Sequence, residues 1–188
     1  MQCRPDTPAA IAILGSGHTG HALAATFSLA GHPTSLISLS PQRRESVNLK
    51  QHDGIWVTKN NLSHYCPVHC TDDIATAVAS ADIIFCTTPA IYHEALIGRL
   101  LPLIKNGQTI YFSSYFGASK MRASLNARPE LTDITLAESM SAIHAARSPH
   151  YGHVEIIALK DEVPVATHPE DRCTSFLRQV KKALPHLR

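Results

Sequence analysis

Aromatic residues make up only 6% of the 188 residues, with a single tryptophan, and no lysine–arginine tract interleaves with them. The formal charge is just +2. A nucleic-acid surface combines a basic stripe with stacking aromatics, and neither half of that signature is here. No apolar run approaches the roughly 20 residues that cross a bilayer. The opening MQCRPDTPAA lacks the apolar core of a secretory signal. These gaps lead to an expectation of a cytoplasmic protein with no nucleic-acid and no membrane partner. Five cysteines (Cys3, Cys66, Cys70, Cys86 and Cys173) form an odd set without scaffold-like spacing, which reads as reduced thiols. There is no P-loop lysine, no Ser–His–Asp set and no paired carboxylates, so hydrolase and kinase readings have no support.

What is present is globular: 44% hydrophobic and 17% charged residues. The length suits one well-buried domain, residues 1–188. Short apolar runs alternate with helical patterns. Residues 11–15 read as a strand and 18–30 as a helix ending before Gly31. Residues 34–40 read as a second strand, followed by a polar helix from about Pro41. HYCPVHC (64–70) is a weaker strand, with Asp72 or Asp73 placed to cap the next helix. ADIIFCTTP (81–89) is a strongly buried strand with Cys86 inside it. The helix after it carries Leu96, Leu100 and Leu103 at helical spacing. Strands at 107–114 and 133–139 follow, then the runs HVEIIALK and VPVATHP, and a last helix near 170–184. Runs 153–169 read as an antiparallel pair joined around Lys160–Glu162 at an edge. The alternation predicts an α/β fold: a Rossmann-type, doubly wound, mainly parallel sheet with an antiparallel edge pair near the C-terminus.

The stretch IAILGSGHTGHALA (11–24) places Gly15, Gly17 and Gly20 in the pattern G-x-G-x-x-G, after a buried strand and at the opening of a helix. The first glycine permits a tight turn, the second lets backbone approach a pyrophosphate, and the third allows close packing of helix on strand. Ser16, His18 and Thr19 complete the candidate phosphate turn, where unpaired N–H groups and the helix dipole attract an anion. His18 would contribute mainly through its backbone N–H, and His21 reads as packing.

The end of the second strand selects the dinucleotide. An acidic residue there usually accepts from the ribose 2′-hydroxyl of NAD. Here LISLSPQRR has none before Glu45; Ser38, Ser40, Arg43 and Arg44 instead suit a 2′-phosphate. NADP(H) is therefore preferred over NAD(H), unless the arginines are simply a solvated first turn. Thr87, Thr88 and Pro89 end the strand at 81–89, where open α/β sheets bind ligands, and are candidates for the cofactor ribose. His64, Cys66, His69 and Cys70 have metal-binding side chains, but strand alternation splits them between two faces and Pro67 signals an edge or bulge, so no metal is assigned.

Four stretches resemble the opine dehydrogenases of the octopine/nopaline type: ADIIFCTTPAIYHEALIGRL (81–100), FSSYFGASKM (112–121), ESMSAIHAAR (138–147) and VEIIALKDEVPVATHP (154–169). The Phe–Gly pair in the second is also similar to opine-metallophore dehydrogenases. With the glycine turn, they cover nearly the whole chain in the family's order. The resemblance implies an oxidoreductase in which an amino acid and a 2-oxo acid, the small-molecule partners, form an imine that NAD(P)H reduces. His144 and Arg147 in the third stretch are candidate contacts to a substrate carboxylate, whose geometry arginine matches bidentately, the alternative being a surface helix. The departures are Ser139 for the family's threonine, Ile143 and His144 for its proline and aromatic, and Ala146 for its cysteine. The family continues into a helical domain bearing the catalytic residues. By the resemblance this chain is the N-terminal NAD(P)-binding domain, with that C-terminal helical domain absent, the catalytic residues unknown and a homodimer left open. Two other readings remain: the cofactor domain of a ketopantoate-reductase or hydroxyacid-dehydrogenase type enzyme, for whose catalytic lysine only Lys120 and Lys160 could serve, or a non-catalytic dinucleotide sensor.

Overall fold

The structure, a computed structural model, describes residues 8–40 and 53–188. The helix expected from Pro41, with Arg43 and Arg44, lies outside the described residues.

Strands β1 (Ile11–Leu14), β2 (Thr34–Ile37), β5 (His69–Thr71), β6 (Ile83–Cys86), β7 (Thr109–Phe112), β8 (Thr135–Ser139) and β11 (Val165–His168) form one sheet, in the order β11-β8-β7-β6-β1-β2-β5. All its pairings are parallel except that of β11 with β8 at the edge. The mainly parallel sheet with an antiparallel edge pair matches the sequence reading.

Alternation along the central strands sends side chains to two cores. Ile11, Ile13, Leu36, Ile83, Phe85 and Tyr111 face one side. Ala12, Leu14, Ile37, Ile84, Cys86, Ile110 and Phe112 face the other. Because both faces are covered, these strands read as continuous apolar runs. Helices α2 (Ile74–Ser80), α3 (His93–Leu100) and α4 (Gly117–Leu125) cover the second face, and α1 (His18–Leu29) and α5 (Cys173–Val180) the first. Asp73 caps α2, accepting from Thr76 N at 3.1 Å, as its position foretold.

A second sheet, β4-β3-β10-β9, has no counterpart in the sequence reading. It comprises β3 (Gly54–Lys59), β4 (Leu62–Pro67), β9 (His144–Arg147) and β10 (His153–Leu159). Ile55, Val57, Val154 and Ile156 join Leu23 and Phe27 of α1 in the first core. Helix α1 therefore lies between two sheets, which is why it is alanine-rich and buried nearly all round.

Two expectations are corrected by this sheet. The runs 153–169 do not pair with each other: β10 runs parallel to β3 and antiparallel to β9, while β11 crosses to the main sheet. HYCPVHC is not one strand. The chain leaves the small sheet at Pro67 and enters the main sheet at His69, because proline has no N–H to extend a ladder. Cys66 and Cys70 are buried, their thiols pushed up by burial to about 11 and about 12, whereas His64 and His69 are exposed. No metal-holding cluster occurs among the described residues, and none of their helices is long and apolar enough to cross a membrane.

Candidate functional site

The main sheet reverses its winding at β1, with β2 on one side and β6 on the other. Open α/β sheets bind ligands in the crevice beyond such a switch point. Gly15, Ser38 and Thr87–Pro89 all lie just past the carboxyl ends of these strands.

The three glycines fill the roles their spacing assigns. Gly15 has φ +117°, and a Cβ there would lie 2.8 Å from Thr87 Oγ1. A Cβ on Gly20 would come within 1.8 Å of Gly15 O, so α1 can approach the turn only without a side chain. At Gly17 nothing lies within 4 Å of an added Cβ. Gly17 is also the N-cap of α1, no side chain caps the helix, and its first turn holds no acid. Open space thus sits before a helix end whose N–H groups lack a side-chain partner. Gly17 and His18 are exposed, and Ser16 and Thr19 half-buried.

Thr87 Oγ1 donates to Leu14 O and Gly15 O, both at 3.0 Å, and pins the turn from the neighbouring strand. Its hydroxyl is occupied. Thr88 differs: its Oγ1 is buried without a hydrogen-bond partner among the described residues, and a Cβ on Gly15 would lie 3.4 Å from its methyl. A buried hydroxyl left unmatched beside a glycine turn is a candidate contact for a polar ligand. Ser38 is buried, its N–H donating to Thr71 O at 2.9 Å, and Ser40 is half-buried. On α3, Arg99 reaches toward Leu39 O at 3.5 Å, adding a cation beside the end of β2.

The first turn of α1 is fastened to the segment following β9. His21 Nδ1 donates to Gly17 O at 3.0 Å, and its Nε2 accepts from Gly152 N at 3.3 Å. Burial keeps this imidazole below its usual pKa, consistent with a neutral ring that donates on one side and accepts on the other. His18 Nδ1 accepts from Ser148 N at 2.7 Å. The exposed Arg147 is therefore carried to the mouth of the glycine turn. His144 is not: it is buried, with Nε2 2.9 Å from Thr26 Oγ1 toward the other end of α1. Both residues belong to strand β9, not to the surface helix that was the alternative to a substrate contact.

Sequence reasoning passed over two features beside Thr88. His93 is fully buried, with Nε2 donating to Thr88 O at 3.2 Å and 3.3 Å from Ser114 Oγ. Burial first, and the Lys120 charge after it, lower its pKa. The one signal was a histidine four residues past Pro89 in an otherwise ordinary amphipathic turn. Second, Glu138 accepts from Phe116 N at 3.1 Å and Ala118 N at 2.8 Å at the start of α4. Phe116 there has φ +64°, and a Cβ on Gly117 would lie 2.2 Å from the Phe112 ring. That explains the glycine of the Phe–Gly pair.

The switch point, the uncapped helix end and the glycine geometry together define a dinucleotide-binding domain of the Rossmann type. The chain belongs to the family described as NAD-dependent glycerol-3-phosphate dehydrogenase N-terminus, which matches residues 10–123. It is also 30% identical over 182 residues to an opine dehydrogenase of Arthrobacter sp. (strain 1C), covering 93% of this chain and 48% of that protein. Octopine dehydrogenase solved with NADH and L-arginine superposes with a TM-score of 0.77 at 19% identity, over 96% of this chain and 48% of that one. Yersinopine dehydrogenase with NADP+ bound gives 0.79 at 17%, over 96% and 46%. A ketopantoate reductase from Ralstonia eutropha JMP134 gives 0.72 at 18%, over 93% and 54%. The chain thus spans about half the length of the relatives it matches, and its fold is that of the cofactor half of opine dehydrogenase-like and ketopantoate reductase-like enzymes.

Proposed function

We propose that the chain is the NADP(H)-binding domain of an opine-dehydrogenase-like oxidoreductase that joins an amino acid to a 2-oxo acid by reductive condensation. The observation that carries the reading is the empty Cβ position of Gly17 before an uncapped helix end, with the unpartnered Thr88 hydroxyl across the turn. The N–H groups of Ser16–Gly20 hold the pyrophosphate. Thr88 would hydrogen-bond the cofactor ribose, with Pro89 shaping the wall and Thr87 bracing the turn. Ser38, Ser40, Arg43 and Arg44 take the 2′-phosphate, and Arg99 supports them. Arg147 supplies a guanidinium for a substrate carboxylate. A bound nicotinamide dinucleotide supplies the hydride. The residues of this chain bind and orient it; the proton donor belongs to a helical domain outside residues 1–188.

This reading takes the opine partners from the relative covering 93% of the chain. The ketopantoate-reductase alternative draws on the 0.72 superposition. It needs a catalytic lysine, and of its two candidates Lys160 is held by Ser141 Oγ at 2.7 Å.

Fluorescence titration with NADPH and NADH tests the cofactor. NADPH binding tighter by about tenfold or more, abolished as a preference in Arg43→Gln/Arg44→Gln, is expected; equal or absent binding refutes it. NADPH oxidation by the 188-residue chain with pyruvate and an amino acid is expected to be undetectable, and robust turnover refutes the assignment of the proton donor.

A further inference from the structure

A second concavity lies at the opposite end of α1 from the glycine turn. It is a half-open cleft of about 680 Å³ between the last turn of α1, the ends of β3, β4 and β10, and residues 182–186. Thr26 on its wall is eight residues beyond His18, about 12 Å along the helix. This is not the cofactor crevice.

The cleft has two chemistries. Its floor is apolar and buried: Val57, Ile143, Ile156 and Leu184 are each no more than 8% exposed. Its rim carries two lysines, Lys59 and Lys182, with His64 and His186 beside them, and among the described residues no aspartate or glutamate lines it. Neither lysine has an ion-pair partner among the described residues. Lys182 Nζ hangs near Gly31, where it also faces the negative end of α1.

His144 reports on the field in the cleft. Among the described residues its Nδ1 is buried without a hydrogen-bond partner, and its ring is held neutral by burial, with the His186 and Lys59 charges acting in the same sense. Two lysines over an apolar floor, with no acid beside them among the described residues, give the cleft a positive field that an anion would match. An inorganic anion would leave the exposed Leu29 and Leu62 side chains on the cleft's walls in water. A purely apolar ligand would leave the charges unmatched. An apolar body with one carboxylate satisfies both halves.

We propose that this cleft binds an amphipathic monocarboxylate of medium-chain alkanoate size, its tail on Ile143, Ile156 and Leu184 and its carboxylate between Lys59 and Lys182. The site is independent of the cofactor assignment, since it shares no residue with the glycine turn.

Methyl-resolved NMR of the 188-residue chain, titrated with sodium octanoate, tests it. Saturable shifts are expected at the Ile143, Ile156 and Leu184 methyls, unchanged by saturating NADPH. Lys59→Gln/Lys182→Gln is expected to weaken octanoate about tenfold or more, and Leu62→Glu, which puts an acid on the exposed rim, to weaken it as well. All three positions are exposed, so the fold is expected to survive with an unchanged melting temperature. Octyltrimethylammonium is expected not to bind. No saturable shift at these methyls, equal binding of 1-octanol, indifference to the lysine substitutions or displacement by NADPH would each overturn the proposal.

Discussion

Two glycines three residues apart are expected to fail in opposite ways when each gains one methyl group. At Gly20 an added Cβ would lie 1.8 Å from Gly15 O and 2.9 Å from Gly15 C, both backbone atoms that no rotamer can move aside. The helix must back away from β1, disturbing a core in which α1 is buried on nearly every side. Overpacking of this kind costs roughly 1–3 kcal/mol or more. The helix-propensity gain of alanine over glycine, about 1 kcal/mol, offsets only part. A net loss of about 2 kcal/mol lowers the melting temperature by roughly 4–8 °C in a protein of this size. At Gly17 the same methyl meets nothing within 4 Å, and the backbone, at φ −84° and ψ −170°, suits any residue. Gly17→Ala should change stability by less than about 1 kcal/mol, the price of a poorer N-cap. Yet its methyl stands in the open space proposed for the pyrophosphate, so NADPH affinity should fall by about tenfold or more. Calorimetric melting and NADPH titration of both variants decide the matter. A Gly17→Ala protein that binds normally, or a Gly20→Ala protein that melts like the parent, refutes the reasoning.

Other expectations follow from single side chains. His144, at about 4 when folded against 6.5 unfolded, binds protons more readily in the unfolded chain. Stability should therefore be full above pH 6.5 and fall by about 3 kcal/mol as the pH drops through 4. Urea midpoints against pH should show this, with a shallower slope in His144→Gln; equal slopes would sink the claim. Glu138→Gln removes the charge from two hydrogen bonds at the start of α4 and should cost about 1 kcal/mol, a melting shift of roughly 2–4 °C. Thr88→Val should leave the melting temperature near the parent's and weaken NADPH, because the hydroxyl it removes has no partner among the described residues; unchanged affinity would separate Thr88 from the cofactor. Ellman's reagent at pH 8 should leave Cys66, Cys70 and Cys86 unmodified in the native chain, since all three are buried and their thiols pushed up.

The parallel core was legible because its signals are local. IAIL, TSLI and IIFC are buried on both faces and so read as unbroken apolar runs, and Gly31 and Asp73 mark helix ends by their own chemistry. The glycine turn was legible for the same reason, Gly15 and Gly20 answering to contacts within a few residues or one neighbouring strand and Gly17 to the open space before α1. The small sheet was not. GIWVTK has strand composition, but its parallel partner β10 lies about a hundred residues away, and neither signals the other. The β10–β11 misreading has the same origin: two strands separated by five residues look like a hairpin, and only their separate ladders show otherwise. His93 was missed because the burial that makes it notable comes from Phe112 and Ser114, on another strand and its following loop.

The unread sheet also explains why α1 resists interpretation as an ordinary surface helix. Between two sheets it has no solvent face to carry polar residues, so polarity concentrates at its two ends. At the N-terminus His18 and His21 are fixed by Ser148 and Gly152, and at the C-terminus Thr26 is bound to His144. Both sets of partners come from β9 or the segment between β9 and β10. One short stretch of chain, residues 144–152, thus holds the helix at both ends, carrying Arg147 to the glycine turn and His144 to the cleft. A substitution that shifts β9 should therefore disturb NADPH and octanoate binding together. Arg147→Gln should spare the cleft, and Lys59→Gln/Lys182→Gln the turn.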